Sequence, residues 1–340
     1  MAKARHIPVR EDWLALRSEA AVDPDRPLID AHHHLWDKPG SRYLLDDMLA
    51  DMAGHNFVAT VFNEGKEGYR PDGPPHLRSL GETDMVTAAA EESLRRTGGR
   101  LHMNAGIVGY VDLTRGEAAG EVLDLHIEAA KGRFCGVRNA TAWHADPEAR
   151  GSVLVHPPGM AYEPEFRAGL KELQKRDLVF DAWMYHTQLG DLIDLAHDFP
   201  DLRIVINHLG GPIGIGPYEG RRDEVFEDWR HFMRRLAKFE NISVKLGGFG
   251  MLMAGFDFQD QALPPTSDEL ADAWRPYFEE CIETFGPSRA MFESNFPVDK
   301  GTCSYPVLWN TFKKIAARHS EDEKHALFFQ TANRVYDLGL

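Results

Sequence analysis

Leu28-Ile29-Asp30-Ala31-His32-His33-His34-Leu35-Trp36-Asp37 decides the reading of this chain. The segment begins as a short apolar run and ends on three histidines. In extended backbone alternate side chains share a face, so His32 and His34 point together and His33 points away. Two imidazoles converging at a strand end can grip a divalent metal or polarise a carbonyl. An internal run of three, preceded by Pro27-Leu28-Ile29, is not a purification tag. Catalytic groups gather at strand ends in α/β barrels.

Outward from this segment, β-rich runs alternate with helical patterns. The runs are 28–34, 57–62, 103–108, 134–139, 178–184, 202–207, 241–246 and 289–293. Between them lie amphipathic stretches at 83–97, 117–131, 164–176, 189–198, 224–238 and 268–285. Such alternation predicts a parallel sheet with crossover helices. A doubly wound open sheet would carry a glycine-rich phosphate turn after its first strand, where this chain has His-His-His-Leu-Trp. The expected fold is therefore α/β: a (β/α)8 TIM-like barrel forming a single domain over 28–340. Residues 1–27 read as an N-terminal arm, and 305–318 and 321–337 as C-terminal helices closing the barrel. Two long strand-to-helix loops, 62–82 and 247–266, are placed to shape a pocket.

Composition narrows the function classes. The 340 residues are 43% hydrophobic and carry a formal net charge of −15. A chain so acidic, with no Lys/Arg run, is a poor partner for nucleic acid. An anionic small molecule stays compatible, because a few local cations make a positive pocket in an acidic protein. No apolar stretch reaches the ~18–20 residues that span a bilayer. Cys135, Cys281 and Cys303 are scattered, with no CxxC spacing, as expected of reduced thiols in a cytoplasmic enzyme. A homo-oligomer is compatible with all of this.

In a barrel, chemically active side chains should cluster at the strand ends. His32 and His34 end the first strand, Arg138 the fourth, His208 the sixth and Lys245 the seventh. His186 follows the fifth, and Asn295 and Asp299 follow the eighth. Arg138 and Lys245 are candidate clamps for a substrate carboxylate, Arg for its bidentate geometry. Trp143, Trp183, Tyr185 and Phe296 read as pocket walls. Arg70 and Glu82 lie in or beside the 62–82 loop, within reach of a substrate.

The chain resembles the amidohydrolase superfamily, in its amidohydrolase-related branch of lactonases and decarboxylases. The matching segments are Asp30-Ala31-His32-His33-His34, Gln188-Leu189, Phe199-Pro200-Asp201-Leu202 and Asn207-His208-Leu209-Gly210-Gly211-Pro212. Val244-Lys245-Leu246-Gly247 and Met291-Phe292-Glu293-Ser294-Asn295-Phe296-Pro297-Val298 complete the set. The resemblance implies a barrel hydrolase in which an activated water attacks a carbonyl. It implies His32, His34 and His186 as ligands of one divalent metal such as zinc, although a metal-free mechanism fits the branch equally. It implies His208 as catalytic base or electrostatic group.

One position departs from the pattern. Where the branch carries Ser-Asp-x-Pro, this chain reads Ser294-Asn295-Phe296-Pro297. A neutral amide cannot serve as a general base near neutral pH. The base then falls to His208, whose imidazole titrates in the useful range, or to Asp299 four residues on. The leading expectation is a hydrolase opening a lactone or cyclic ester of a small, carboxylate-bearing, oxygen-rich acid. The alternatives are a metal-dependent decarboxylase of an aromatic or unsaturated acid, and a binding barrel that Asn295 has disabled.

Overall fold

The computed structural model describes residues 6–150 and 156–340. Eight parallel strands run in chain order around one sheet: β1 (Pro27–His33), β2 (Asn56–Asn63), β3 (His102–Gly109), β4 (Phe134–Val137), β5 (Val179–Ala182), β6 (Ile204–Ile206), β7 (Ile242–Leu246) and β8 (Ala290–Phe292). Beyond the last regular pairing, Asn295 N donates to His32 O at 2.8 Å and His34 N to Phe296 O at 2.7 Å. Those two bonds draw β8 onto β1 and leave a nearly closed (β/α)8 barrel.

Two apolar layers follow from the pleat of the strands. Ile29, Ala31, Ala59, Val61, Val108, Val179, Val205 and Met291 pack together with Ala332, Val335 and Tyr336 of the C-terminal segment. A second, larger cluster joins strand residues such as Leu28, Phe57, Phe180 and Phe292 to the surrounding helices. The helix Ser267–Phe285 shows how local chemistry sets a boundary. Thr266 Oγ1 accepts from Glu269 N, and Glu269 Oε2 accepts from Thr266 N, a reciprocal cap at the end of the 247–266 loop.

Three details differ from the sequence reading. The arm carries a short helix, Glu11–Leu14, and is docked on the barrel: Trp13 is buried and its Nε1 donates to Gln261 O at 3.1 Å. The segment 321–337 is interrupted, with π-helical turns at Ala326–Gln330 between Glu321–His325 and Thr331–Val335. A short antiparallel pair, Trp36–Lys38 with Ser41–Tyr43, follows the histidines. Among the described residues no helix is long and apolar enough to cross a membrane.

Candidate active site

The strand ends bring five of the anticipated side chains to one mouth of the barrel. His32 and His34 face each other, Nε2 to Nε2, at 3.2 Å, while His33 turns away to Thr60 Oγ1 at 2.8 Å. Strict alternation would put Asp30 on the same face as His32. Instead Asp30 bonds Tyr305 OH (2.9 Å) and Ser294 Oγ (2.5 Å), outside the cluster. The β1 register shifts between Asp30 and His33, a local irregularity of the kind that re-aims side chains beside active sites. Burial pushes the Asp30 carboxyl up to about 6.

Hydrogen-bond chemistry assigns the protons. The carbonyl of Asn63 only accepts, so His34 Nδ1, 2.9 Å away, carries the proton and His34 Nε2 presents a lone pair. Glu293 plays the same part for His208: its Oε1 lies 2.7 Å from His208 Nδ1 and 2.9 Å from the His208 backbone N. His208 Nε2 is therefore left with its lone pair, and His208 lines the cavity. Trp183 packs edge-to-face on the His208 ring at 4.8 Å. Burial lowers the His208 pKa, and the Glu293 carboxylate opposes that shift.

This placement is built on strained backbone. His208 and Leu209 both take left-handed φ, 52° and 51°, and Asn295 takes 54°. Residues held this way cluster at functional sites. Gly248, itself at φ +75°, is required beside them, because a Cβ there would meet the His208 ring at 2.6–2.7 Å.

The cavity above this cluster holds about 370 Å³ and is lined by His34, Trp183, His208, Arg138 and Asn295 among others. Arg138 reaches it with its fork already engaged: Nε to Glu64 Oε1 (3.0 Å), Nη2 to Glu64 O (2.5 Å) and Nη1 to His32 Nε2 (3.1 Å). Lys245 is fully buried, with Nζ 2.5 Å from Asp181 Oδ2 and 3.3 Å from His32 Nδ1. It supports His32 from below and presents nothing to a ligand, which corrects its assignment as a clamp.

Other anticipated residues stand outside the cluster. His186 is stacked edge-on to Tyr218, and its Nδ1 accepts from Ile213 N at 3.3 Å. It does not line the cavity with His34, and burial pushes its pKa down to about 4. Asp299 sits behind Asn295: its Oδ1 accepts from Asn295 Nδ2 (2.7 Å) and its Oδ2 from Gly250 N (2.8 Å). Burial pushes that carboxyl up to about 8. Arg70 is half exposed and pairs with Asp84 on the surface, so it does not reach the site. Trp143 and Tyr185 are not among the residues lining this cavity. The Trp143 backbone N donates to Gln188 Oε1, and Tyr185 packs edge-on against Trp183.

The sequence reading missed Glu293, Glu64 and Asp181 as functional partners. The strand-end rule that selected the histidines also covers Glu293 and Glu64, which directly follow β8 and β2.

His32, His208 and Glu293 offer donor atoms within 4.8 Å of one another, a set that could hold a metal ion. Two further observations fit a divalent ion. Glu293 Oε2 is buried without a hydrogen-bond partner although it lies 2.9 Å from His32 Nδ1. On the opposite edge of the His32 ring, His34 marks a second position: the 3.2 Å between His32 Nε2 and His34 Nε2 is close to the ligand–ligand edge of a tetrahedral zinc site, about 3.3 Å for Zn–N bonds of about 2.0–2.1 Å. The local charge also permits it, since Glu64, Asp181 and Glu293 outnumber Arg138 and Lys245.

Comparison with known proteins agrees with this architecture. The chain is 34% identical to the uncharacterized protein y4mH of Sinorhizobium fredii, over 92% of this chain and 99% of that protein. It is 26% identical to L-fucono-1,5-lactonase of Burkholderia multivorans, over 91% of this chain and 96% of the lactonase. Its fold matches the crystal structure of a zinc-bound amidohydrolase from Burkholderia multivorans with a TM-score of 0.70 at 22% identity, covering 91% of this chain and 99% of that one. The sequence profile of the Amidohydrolase family matches residues 29–338, and the chain belongs to that family.

Proposed function

We propose that this protein is a hydrolase that opens a lactone or related cyclic ester of a small, oxygen-rich acid. The observation that carries the reading is the Glu293–His208 pair, which leaves His208 Nε2 bare toward the cavity. A base oriented by a carboxylate on its far nitrogen is the arrangement general-base catalysis needs. His208 Nε2 takes a proton from water as the water oxygen bonds to the carbonyl carbon. The ring C–O bond then breaks, and the proton passes from His208 to the departing alkoxide oxygen. Asn295, on the cavity wall, is oriented by Asp299 and serves as a hydrogen-bonding group, not as a base.

His32 and His34 are the pair that would hold a divalent ion, zinc by the character of the nitrogen donors, with Glu293 behind His32. When bound, such an ion supplies Lewis-acid polarisation of the carbonyl. The L-fucono-1,5-lactonase likeness across nearly the whole chain favours lactone chemistry over decarboxylation. So does the position of His186, away from the other histidines.

Acid release from a panel of sugar-acid lactones, followed by pH-stat, tests the proposal. The native protein should open at least one member, and His208→Asn should lower kcat by about 10²–10⁴-fold without unfolding. A protein inert toward the panel that releases carbon dioxide from aromatic acids would be the decarboxylase instead. Tight binding with no turnover of either class would make it a binding barrel.

A further inference from the structure

The loop that follows β2 presents a cation in an unusual way. Glu82 is 2% exposed, and its Oε1 accepts from both Gly65 N (2.9 Å) and Glu67 N (2.9 Å), the amides flanking Lys66. Lys38 Nζ holds the same turn from the other side, donating to Gly65 O at 2.6 Å. Lys66 itself sits at φ 60°, a conformation that costs energy in a non-glycine residue and persists only where its surroundings impose it. A buried carboxylate and a second lysine are thus spent on displaying one side chain at the cavity wall.

Lys66 has no carboxylate within ion-pair distance among the described residues; its Nζ lies 5.1 Å over the Tyr110 ring. Lys38 and Arg138 share the cavity lining with it against the single lining carboxylate Glu64, while burial disfavours the charged form of the lining histidines His6, His34, His156 and His208. Glu64 is already paired with Arg138, and Glu67 turns its backbone N to Glu82. In a chain of net charge −15 three cations against one carboxylate make a local excess of positive charge on this cavity wall.

We infer that Lys66, displayed by the positioning residue Glu82, selects a substrate bearing a free carboxylate in addition to the ester being opened. The inference rests on the lactonase reading and deepens it: the substrate class becomes the lactone of a diacid rather than a neutral sugar lactone. Arg138 and Lys245 are committed to Glu64 and Asp181, and Lys38 is held on the Gly65 carbonyl and over the Trp36 ring, which leaves Lys66 as the lining cation with no hydrogen bond or ion pair among the described residues.

The γ-lactones of glucaric and gluconic acid test this, because they differ only in a carboxylate against a hydroxymethyl group. The native protein should favour the glucarate lactone in kcat/KM by about tenfold, mostly through KM. Lys66→Met should bring the ratio near one, and Lys66→Arg should keep it. Glu82→Ala should lower the ratio as well, with Glu82→Gln restoring it, since a Gln oxygen still accepts both amides. A ratio unmoved by Lys66→Met overturns the inference. Calorimetric titration with glutarate reads the contact without turnover. Binding to the native protein that is lost in Lys66→Met sustains the inference even if both lactones prove inert, an outcome that would count against the hydrolase reading alone. Glutarate binding that is equal in the two proteins, or absent from both, overturns it.

Discussion

Glu293 Oε1 accepts two hydrogen bonds from His208, one from the backbone N and one from Nδ1, across 85 residues of sequence. The backbone bond fixes where the residue stands, and the ring bond fixes which nitrogen is protonated. Glu293→Gln keeps the shape but offers an amide that can donate to Nδ1 and reverse the tautomer. We expect kcat to fall by about 10²–10⁴-fold while KM changes little. Steady-state kinetics beside a circular dichroism spectrum checks this; full activity in the variant would remove Glu293 from the mechanism.

Lys245 and Asp181 are both fully buried and lie 2.5 Å apart, and Tyr336 OH reaches the other Asp181 oxygen at 2.8 Å. Removing one member of such a pair leaves an uncompensated charge in the interior. Lys245→Met should therefore cost about 3–5 kcal/mol, read as a lowered midpoint in urea unfolding. Exchanging both residues for apolar ones should recover much of that loss.

Asp299 predicts a pH dependence of stability. Its carboxyl is raised to about 8 in the folded chain by burial, from an ordinary value of 3.8. Between those values the folded chain keeps a proton that the unfolded chain has released. The contribution of this group is thus present at acid pH and is lost as pH rises through about 8. Asp299→Asn removes that slope. Unfolding free energies at about pH 5 and about pH 8 should differ more in the native protein than in the variant, and equal differences would refute the assignment.

Arg138 Nη1 approaches His32 Nε2 at 3.1 Å, the atom proposed to face a metal. A fixed cation so near competes with a second one. Arg138→Gln should bind zinc more tightly than the native protein, by about tenfold or more, in equilibrium dialysis with a competing chelator. His34→Gln should bind it more weakly. If Arg138→Gln weakens zinc binding instead, the guanidinium is an organiser of the site and not a rival.

Much of the architecture was legible in the residues themselves. Short β-rich runs alternating with amphipathic stretches identify the eight strands, and their bounds fall within a few residues of the expected ones. The strand-end rule places His32, His34, Arg138, His208 and Asn295 at one mouth, because in a parallel barrel every strand C-terminus opens on the same side. The same rule was too generous with His186 and Lys245. It states at which end a side chain lies but not which neighbour it meets.

What the sequence alone determined is the repeating pattern and, through it, the closed sheet and the set of residues carried to its rim. Only the tertiary structure decided the pairings: Glu293 on His208, Asp181 on Lys245, Glu64 on Arg138, and Ile213 on His186. Local periodicity is set by backbone geometry over a few residues, whereas these contacts depend on how far each strand is displaced along its neighbour. They depend also on the register shift after Asp30, which turns His32 inward while its alternate neighbour faces Tyr305.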